Sequence, residues 1–152
     1  MAELGDEQTD ALAKACAEAM WREDEASRHL GMVIDDVAPG KATLSMTVLE
    51  IMTNGHGTCH GGYIFTLADS AFAFACNGEN VRSVAQRCSI TYIAPARQGD
   101  RLIAEARETA KFGRNGIYDV SVRTSDGGLI AEMRGHSRTV GGTIIPAGAN
   151  KS

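Results

Sequence analysis

Between Asn54 and Asp69 the chain gathers a dense set of groups that can do chemistry. Asn54-Gly-His-Gly-Thr-Cys-His60 supplies an amide, two imidazoles, a hydroxyl and a thiol, and Gly61 and Gly62 follow at once. From Gly61 to Cys76 the sequence is Gly-Gly-Tyr-Ile-Phe-Thr-Leu-Ala-Asp-Ser-Ala-Phe-Ala-Phe-Ala-Cys, in which Asp69 is the one charged side chain. A carboxylate in so apolar a stretch is costly unless it is paired, hydrogen-bonded or used. Its use would be as a general base or nucleophile with a pKa tuned by partial desolvation. The plain alternative is a carboxylate that only reaches out from one helix face or caps a loop. At the start of the run, glycines leave backbone N–H groups accessible, and the helix dipole favours negative charge there. Such donors can polarise a carbonyl or hold an oxyanion. Glycines serve a tight loop-to-helix junction equally well.

The neighbouring groups have narrower roles. Asn54 can donate to a developing oxyanion or position a water. His60 can orient a substrate or, by a backbone hydrogen bond, brace the loop. Cys59 near a helix start invites a Cys/His nucleophile reading, but no third orienting group is evident, and cysteine is also a common small buried residue. A metal bound by His56, Cys59 and His60 lacks a further paired ligand cluster. Lys111, Arg114 and Asn115 flank a glycine-bearing turn that can hold a phosphate of a nucleotide-tailed substrate; as single residues they are ordinary solvated turn groups. Arg87 and Arg138 are weaker candidates of the same kind.

Gly61 and Asp69 are eight positions apart, which on a helix is about 12 Å of rise. They cannot meet at one carbonyl from the same helix. A two-fold dimer with antiparallel central helices would bring Asp69 of one chain to Gly61 of the other, so a shared active site is expected.

The elements that must position these groups can be read from periodicity. After Thr9, Leu12, Cys16, Ala19 and Met20 recur at helical spacing, which predicts a short amphipathic helix, and Ser27–Leu30 reads as a connector. Met32–Val37 reads as a strand and Pro39-Gly40 as a turn. Ala42, Leu44, Met46 and Val48 then alternate with polar residues, the pattern of a half-buried strand. The apolar run 61–76 is the central helix, stopped by left-handed geometry at Asn77-Gly78. Four more strands follow: Val84, Gln86, Cys88, Ile90 and Tyr92; Leu102, Ala104 and Ala106; Tyr118, Val120 and Val122; Ala131, Met133 and Gly135. Pro95–Asp100, Gly113–Gly116 and Ser125–Gly128 turn the chain between them. A tail from Gly141 is small and polar, and is expected to fray. Strands on both sides of one nearly charge-free helix imply an antiparallel sheet wrapped around it, with its other side covered by the N-terminal helix or a second subunit.

With 152 residues the chain fits one domain with a sizeable core, and a net charge of −4 without a basic stripe argues against a nucleic-acid binder. The acidic start is no secretory signal, and 61–76 is too short for a membrane span of about 20 residues. Four cysteines without an export signal are expected as free thiols in a cytoplasmic protein.

The run Asn54-Gly-His-Gly-Thr-Cys-His-Gly-Gly-Tyr-Ile-Phe-Thr-Leu-Ala-Asp69 resembles the signature of hot-dog-fold acyl-CoA thioesterases of the phenylacetate-degradation (PaaI) type. Ala71–Asn77, Ile90–Pro95, Gly116–Asp119 and Gly141-Gly-Thr143 extend the resemblance over roughly residues 25 to 145. It implies an α+β hot-dog fold: a curved antiparallel sheet around a long central helix, with two subunits joining their sheets and the dimers often pairing into a tetramer. Residues 1–26 would form an N-terminal helical segment, 27–145 the hot-dog domain and 146–152 a flexible tail. It also implies hydrolysis of an acyl-CoA, such as an aryl-acetyl or hydroxyphenylacetyl thioester. Asp69 would attack the carbonyl or activate water, and the Gly61 N–H, assisted by Asn54 and His60, would polarise it. Relatives commonly carry a hydroxyl on the strand after the helix; here Ala85, Gln86 and Cys88 stand nearby, with Ser89 further on. CoA enters as substrate, and neither metal, redox cofactor, nucleic acid nor membrane is called for. The rivals are an acyl-CoA hydratase or dehydratase on the same fold and a non-catalytic acyl-CoA-binding module.

Overall fold

The computed structural model describes residues 4–146. Two helices, α1 (Asp6–Glu23) and α2 (Glu25–His29), precede strands β1 (Val33–Ala38) and β2 (Lys41–Thr47). A single 3₁₀ turn at Glu50–Met52 leads to α3 (Gly61–Cys76), and then come β3 (Ser83–Tyr92), β4 (Arg101–Phe112), β5 (Asn115–Thr124) and β6 (Leu129–Thr139). The strands form one sheet in the order β1-β2-β4-β5-β6-β3, and every neighbouring pair is antiparallel. The sheet wraps α3, giving the hot-dog architecture.

The strands owe their place to alternation. Ala42, Leu44, Met46 and Val48, then Leu102, Ala104 and Ala106, Tyr118, Val120 and Val122, and Ala131 and Met133 are all buried, and they turn one continuous apolar face to α3. From the helix, Ile64, Leu67, Ala68, Ala71, Phe72, Phe74 and Ala75 are buried. Phe72 is the deepest anchor. Its ring lies edge-on to Tyr118 at 5.4 Å, and a Cβ on Gly135 of β6 would come within 2.9 Å of it. Glycine at 135 is therefore the space into which the helix settles.

The N-terminal helices cover part of α3 from the other side. Trp21 of α1 packs on Phe74 with ring centroids 6.3 Å apart, and Ser27 of α2 meets Ser70 of α3. Gly62, Phe65, Thr66, Asp69 and Ala73 are left fully or half open. Their spacing of three and four places them on one stripe of the helix.

Several local expectations are corrected. The N-terminal helix is longer than a short segment, at 18 residues. Ser27–Leu30 is not a plain connector: α2 occupies Glu25–His29, capped by Asp24, which accepts a hydrogen bond from Ser27 N. In β3 the period of two breaks at Gln86, where the pairing with β6 slips by one residue between Ala85 and Arg87. Cys88 and Ile90 pack against the core, whereas Val84, Gln86 and Tyr92 are exposed. The hairpin after β4 turns on Gly113 and Arg114 alone, since Asn115 and Gly116 already pair within the sheet.

The end of α3 also differs from expectation. Asn77 has φ −109°, not a left-handed value, and stops the helix with its side chain. Its Nδ2 donates to Ala73 O at 2.9 Å and Ser83 O at 3.1 Å, and its Oδ1 accepts from Ser83 N at 2.8 Å. The left-handed residue comes later, at Asn80 (φ 61°). Asn80 then ties down part of the tail expected to fray: its Oδ1 accepts from Ile144 N and Ile145 N, both at 2.9 Å, and its Nδ2 donates to Ile145 O. Residues 147–152 lie outside the described residues.

Because Asn77 is buried and satisfies three backbone groups, Asn77→Ala should destabilise the protein by about 2–3 kcal/mol. Urea unfolding checks this: the midpoint should fall with an unchanged slope, and a midpoint within error of the parent would refute the capping role.

Candidate active site

The loop before α3 is shaped around one side chain. Asn54 Oδ1 accepts from His56 N at 2.9 Å, Thr58 N at 3.3 Å and Thr58 Oγ1 at 3.1 Å. Asparagine is suited to this, because its carbonyl mimics a backbone acceptor in a tight turn. Asn54 thus organises the loop through Oδ1, and Nδ2 takes no part in those three bonds. Backbone bonds from Cys59 N to Ala96 O (2.8 Å) and from His60 N to Met52 O (2.7 Å) clamp the loop to its surroundings.

His60 is the N-cap residue of α3 and is exposed, with no side-chain capping bond. Its carbonyl accepts from Tyr63 N at 3.0 Å and Ile64 N at 3.5 Å. The N–H groups of Gly61 and Gly62 have no backbone acceptor among the described residues, as the first turn of a helix dictates. They point out of the helix end beside a shallow cleft lined by Thr58, Gly61, Ile64, Tyr92 and Pro95. A groove between α1 and β1 contains none of these groups.

Tyr92, at the end of β3, was not among the residues singled out for chemistry. Its hydroxyl donates to Gly61 O at 2.8 Å, and its ring lies where a Gly61 side chain would be: a Cβ there would come within 2.7 Å of Cζ. Glycine at 61 is therefore required by the tyrosine, whose ring fills the space of a side chain. The sequence signal was Tyr92 itself, at the end of the Ile90-Thr-Tyr run, but periodicity assigned it to the inward face.

Asp69 lies two helical turns along, on the open stripe of α3. Burial, and secondarily the charge of Asp24, push its carboxyl above the ordinary carboxylate value. Cys88 of β3 and Cys76 of α3 both feel its charge. Of Ala85, Gln86, Cys88 and Ser89, the positions weighed for a helper on β3, only Ser89 carries a hydroxyl, and it is exposed.

The remaining candidates separate. Lys111 is paired with Glu79 at 3.0 Å, just past the C-terminal end of α3. Arg114 forms the hairpin turn, with its carbonyl accepting from Thr139 N at 2.8 Å, and Asn115 pairs with Arg138 in the sheet. Arg87 sits on the outer face of β3. Within one chain the structure thus gathers Asn54, His60 and Gly61 at one end of α3. It leaves Asp69 in the middle and Lys111, Arg114 and Asn115 beyond the other end. His56, Cys59 and His60 do not make a metal cage: no group of three His, Cys, Asp or Glu side chains among the described residues could hold an ion. All four cysteines are free; burial pushes the thiols of Cys16, Cys59 and Cys88 up, and that of Cys76 to about 12. A raised Cys59 is the reverse of an activated nucleophile. Among the described residues no helix is long and apolar enough to cross a membrane.

Comparison with known proteins gives this arrangement a context. The chain is 40% identical over 128 residues to the acyl-coenzyme A thioesterase PaaI of Escherichia coli, covering 84% of this chain and 91% of that one. The solved structure of the E. coli PaaI protein from the phenylacetic acid degradation operon superposes with a TM-score of 0.87 at 38% identity, over 88% of this chain and 97% of that one. Human acyl-coenzyme A thioesterase 13 is 32% identical over 127 residues, 81% of this chain and 90% of its own length. The family model of the thioesterase superfamily matches residues 56–131, which include the helix start, Asp69 and β3 to β5. Together with the fold, these matches establish that the chain belongs to the thioesterase superfamily.

Proposed function

We propose that the protein hydrolyses acyl-CoA thioesters of the phenylacetyl or hydroxyphenylacetyl kind, releasing the free acid and CoA. The observation that carries this reading is the division of labour along α3: unpaired N–H donors at Gly61 and one partly desolvated carboxylate, Asp69, on the stripe the chain leaves open. Its substrate class is supported by the likeness to the E. coli thioesterase. The thioester carbonyl oxygen would accept from the Gly61 N–H, with Asn54 holding the loop and His60 flanking the carbonyl. Asp69 would then either draw a proton from a water that attacks the carbonyl carbon, or add to that carbon itself and leave an acyl–aspartyl anhydride that water opens. In both cases the C–S bond breaks, CoA leaves as its thiol with a proton taken from the water, and the free acid is released.

A homodimer with antiparallel α3 helices completes the geometry. α3 has 16 residues, or about 24 Å from end to end, so the hairpin with Lys111, Arg114 and Asn115 is far from its own Gly61. In the dimer it would lie on the side of the partner's helix start, where a CoA phosphate could meet the hairpin while the acyl end meets Asp69. β3, an edge strand with both faces largely exposed, is the edge two sheets would share, and dimers would pair into a tetramer. With four free thiols, the cytoplasm is the fitting compartment.

Three measurements test the reading. Asp69→Asn should keep the parent's melting temperature but release thiol from phenylacetyl-CoA at least about 100-fold more slowly; near-parental turnover would sink the mechanism. The second is a pH profile. A carboxyl with a raised pKa gains its reactive ionised form only at higher pH, so the acid limb of kcat/KM should lie above the ordinary carboxylate range. A limb at or below that range would count against Asp69 as the titrating group. The third concerns sharing. Gly61→Pro removes only an N–H where a helix start tolerates proline, and Tyr92→Ala makes room for the ring. Mixed dimers of this double variant with Asp69→Asn should regain about one working site per dimer, and a mixture as inactive as its parents would refute the shared site.

A further inference from the structure

The turn of α3 that carries Asp69 is held from a direction its own helix does not supply. Ser27 of α2 is buried at 1% exposure, and its hydroxyl is 2.8 Å from that of Ser70, the residue next to Asp69 on α3. The same hydroxyl donates to Asp24 Oδ2 at 2.7 Å, and Asp24 Oδ1 accepts from Ser27 N at 3.0 Å. A continuous chain of short bonds therefore runs from the α1–α2 junction, Asp24 to Ser27 to Ser70, to the turn of α3 that carries the acid. Because Ser27 is buried, its hydroxyl cannot exchange this contact for water without opening the seam between α2 and α3.

We infer that Asp24 is a positioning residue for the reaction: through Ser27 and Ser70 it fixes the turn of α3 that presents Asp69, and it brings a second carboxylate to that seam. The inference rests on the reading of Asp69 as the catalytic carboxylate. Asp24, at the α1–α2 junction, acts on Asp69, while Cys88 of β3 and Cys76 of α3 itself are the other titratable groups near enough to feel the charge of Asp69. Burial pushes both thiols up, so they stay neutral where the enzyme works, and Asp24 is the neighbour that brings charge. A like charge favours the protonated form of Asp69, and the carboxylate that remains is correspondingly more basic.

The capping role of Asp24 offers a clean test, because asparagine caps a helix as well as aspartate does. Asp24→Asn keeps an acceptor for Ser27 N, removes the charge, and reverses the second bond, so that Nδ2 donates to Ser27 Oγ and Ser27 Oγ in turn donates to Ser70 Oγ. Relative to its own plateau, its phenylacetyl-CoA hydrolysis at the foot of the acid limb should rise about twofold or more, while the plateau kcat falls; Asp24→Glu should restore the limb. The ionisation of Asp69 is read separately, by NMR titration of ¹³C-labelled aspartate carboxyls, with Asp69→Asn to assign its signal. That titration should move to lower pH in Asp24→Asn and back in Asp24→Glu. An unmoved Asp69 signal overturns the inference even if hydrolysis proceeds as proposed. A moved signal in a protein that releases no thiol would uphold the coupling and refute the catalytic reading. Should Asp24→Asn fail to fold, the titration of Asp24→Glu decides: a signal displaced as far as one lacking a nearby carboxylate would overturn the inference.

Discussion

The seating of α3 in the sheet is the constraint on which the rest depends. Phe72 enters the space left by Gly135 and meets Tyr118 edge-on, and this fixes the rotation of the helix about its axis. With successive residues about 100° apart around that axis, burying Leu67, Ala68, Ala71, Phe72 and Ala75 leaves Gly62, Thr66, Asp69 and Ala73 on the far side. The acid is outward because the phenylalanine is inward. A slip of one residue would bring Ser70 to that stripe and drive Asp69 toward the apolar core, where ionisation is far more costly.

Two kinds of force hold α3. Apolar packing from the sheet is strong and nondirectional. The contacts from the N-terminal side are few and directional: Trp21 on Phe74, and the serine pair linking α2 to α3. The first holds the helix in place, and the second sets the local turn. Partial desolvation of Asp69 follows from both, since the neighbours that steady it also take water away.

Much of this was legible in the sequence because it rests on local pattern. The bounds of α3 follow from an uninterrupted apolar run, and β2, β4, β5 and β6 from strict alternation backed by turn residues. Most of the exceptions come from contacts beyond the immediate neighbours in the chain. Alternation in β3 cannot reveal the bulge at Gln86, which is set by pairing with β6. Asn77 stops α3 by reaching Ser83, and Asn80 holds Ile144 and Ile145, so neither role shows in its neighbours along the chain. At the site, Asn54, His60, Gly61 and Asp69 stood out as reactive types in a dense run. Tyr92 and Asp24 did not, for each acts on a residue at least 30 positions away.

The state of the cysteines carries a practical consequence. All four thiols are held above the ordinary value, Cys76 to about 12, and Cys16 and Cys59 are buried. Colorimetric disulfide reagents react with thiolate, and a free aliphatic thiol such as that of CoA released from its thioester is partly ionised near pH 8. The folded polypeptide is therefore a quiet background against which such a reagent reports product, and a burst of protein labelling would signal unfolding before it signalled turnover.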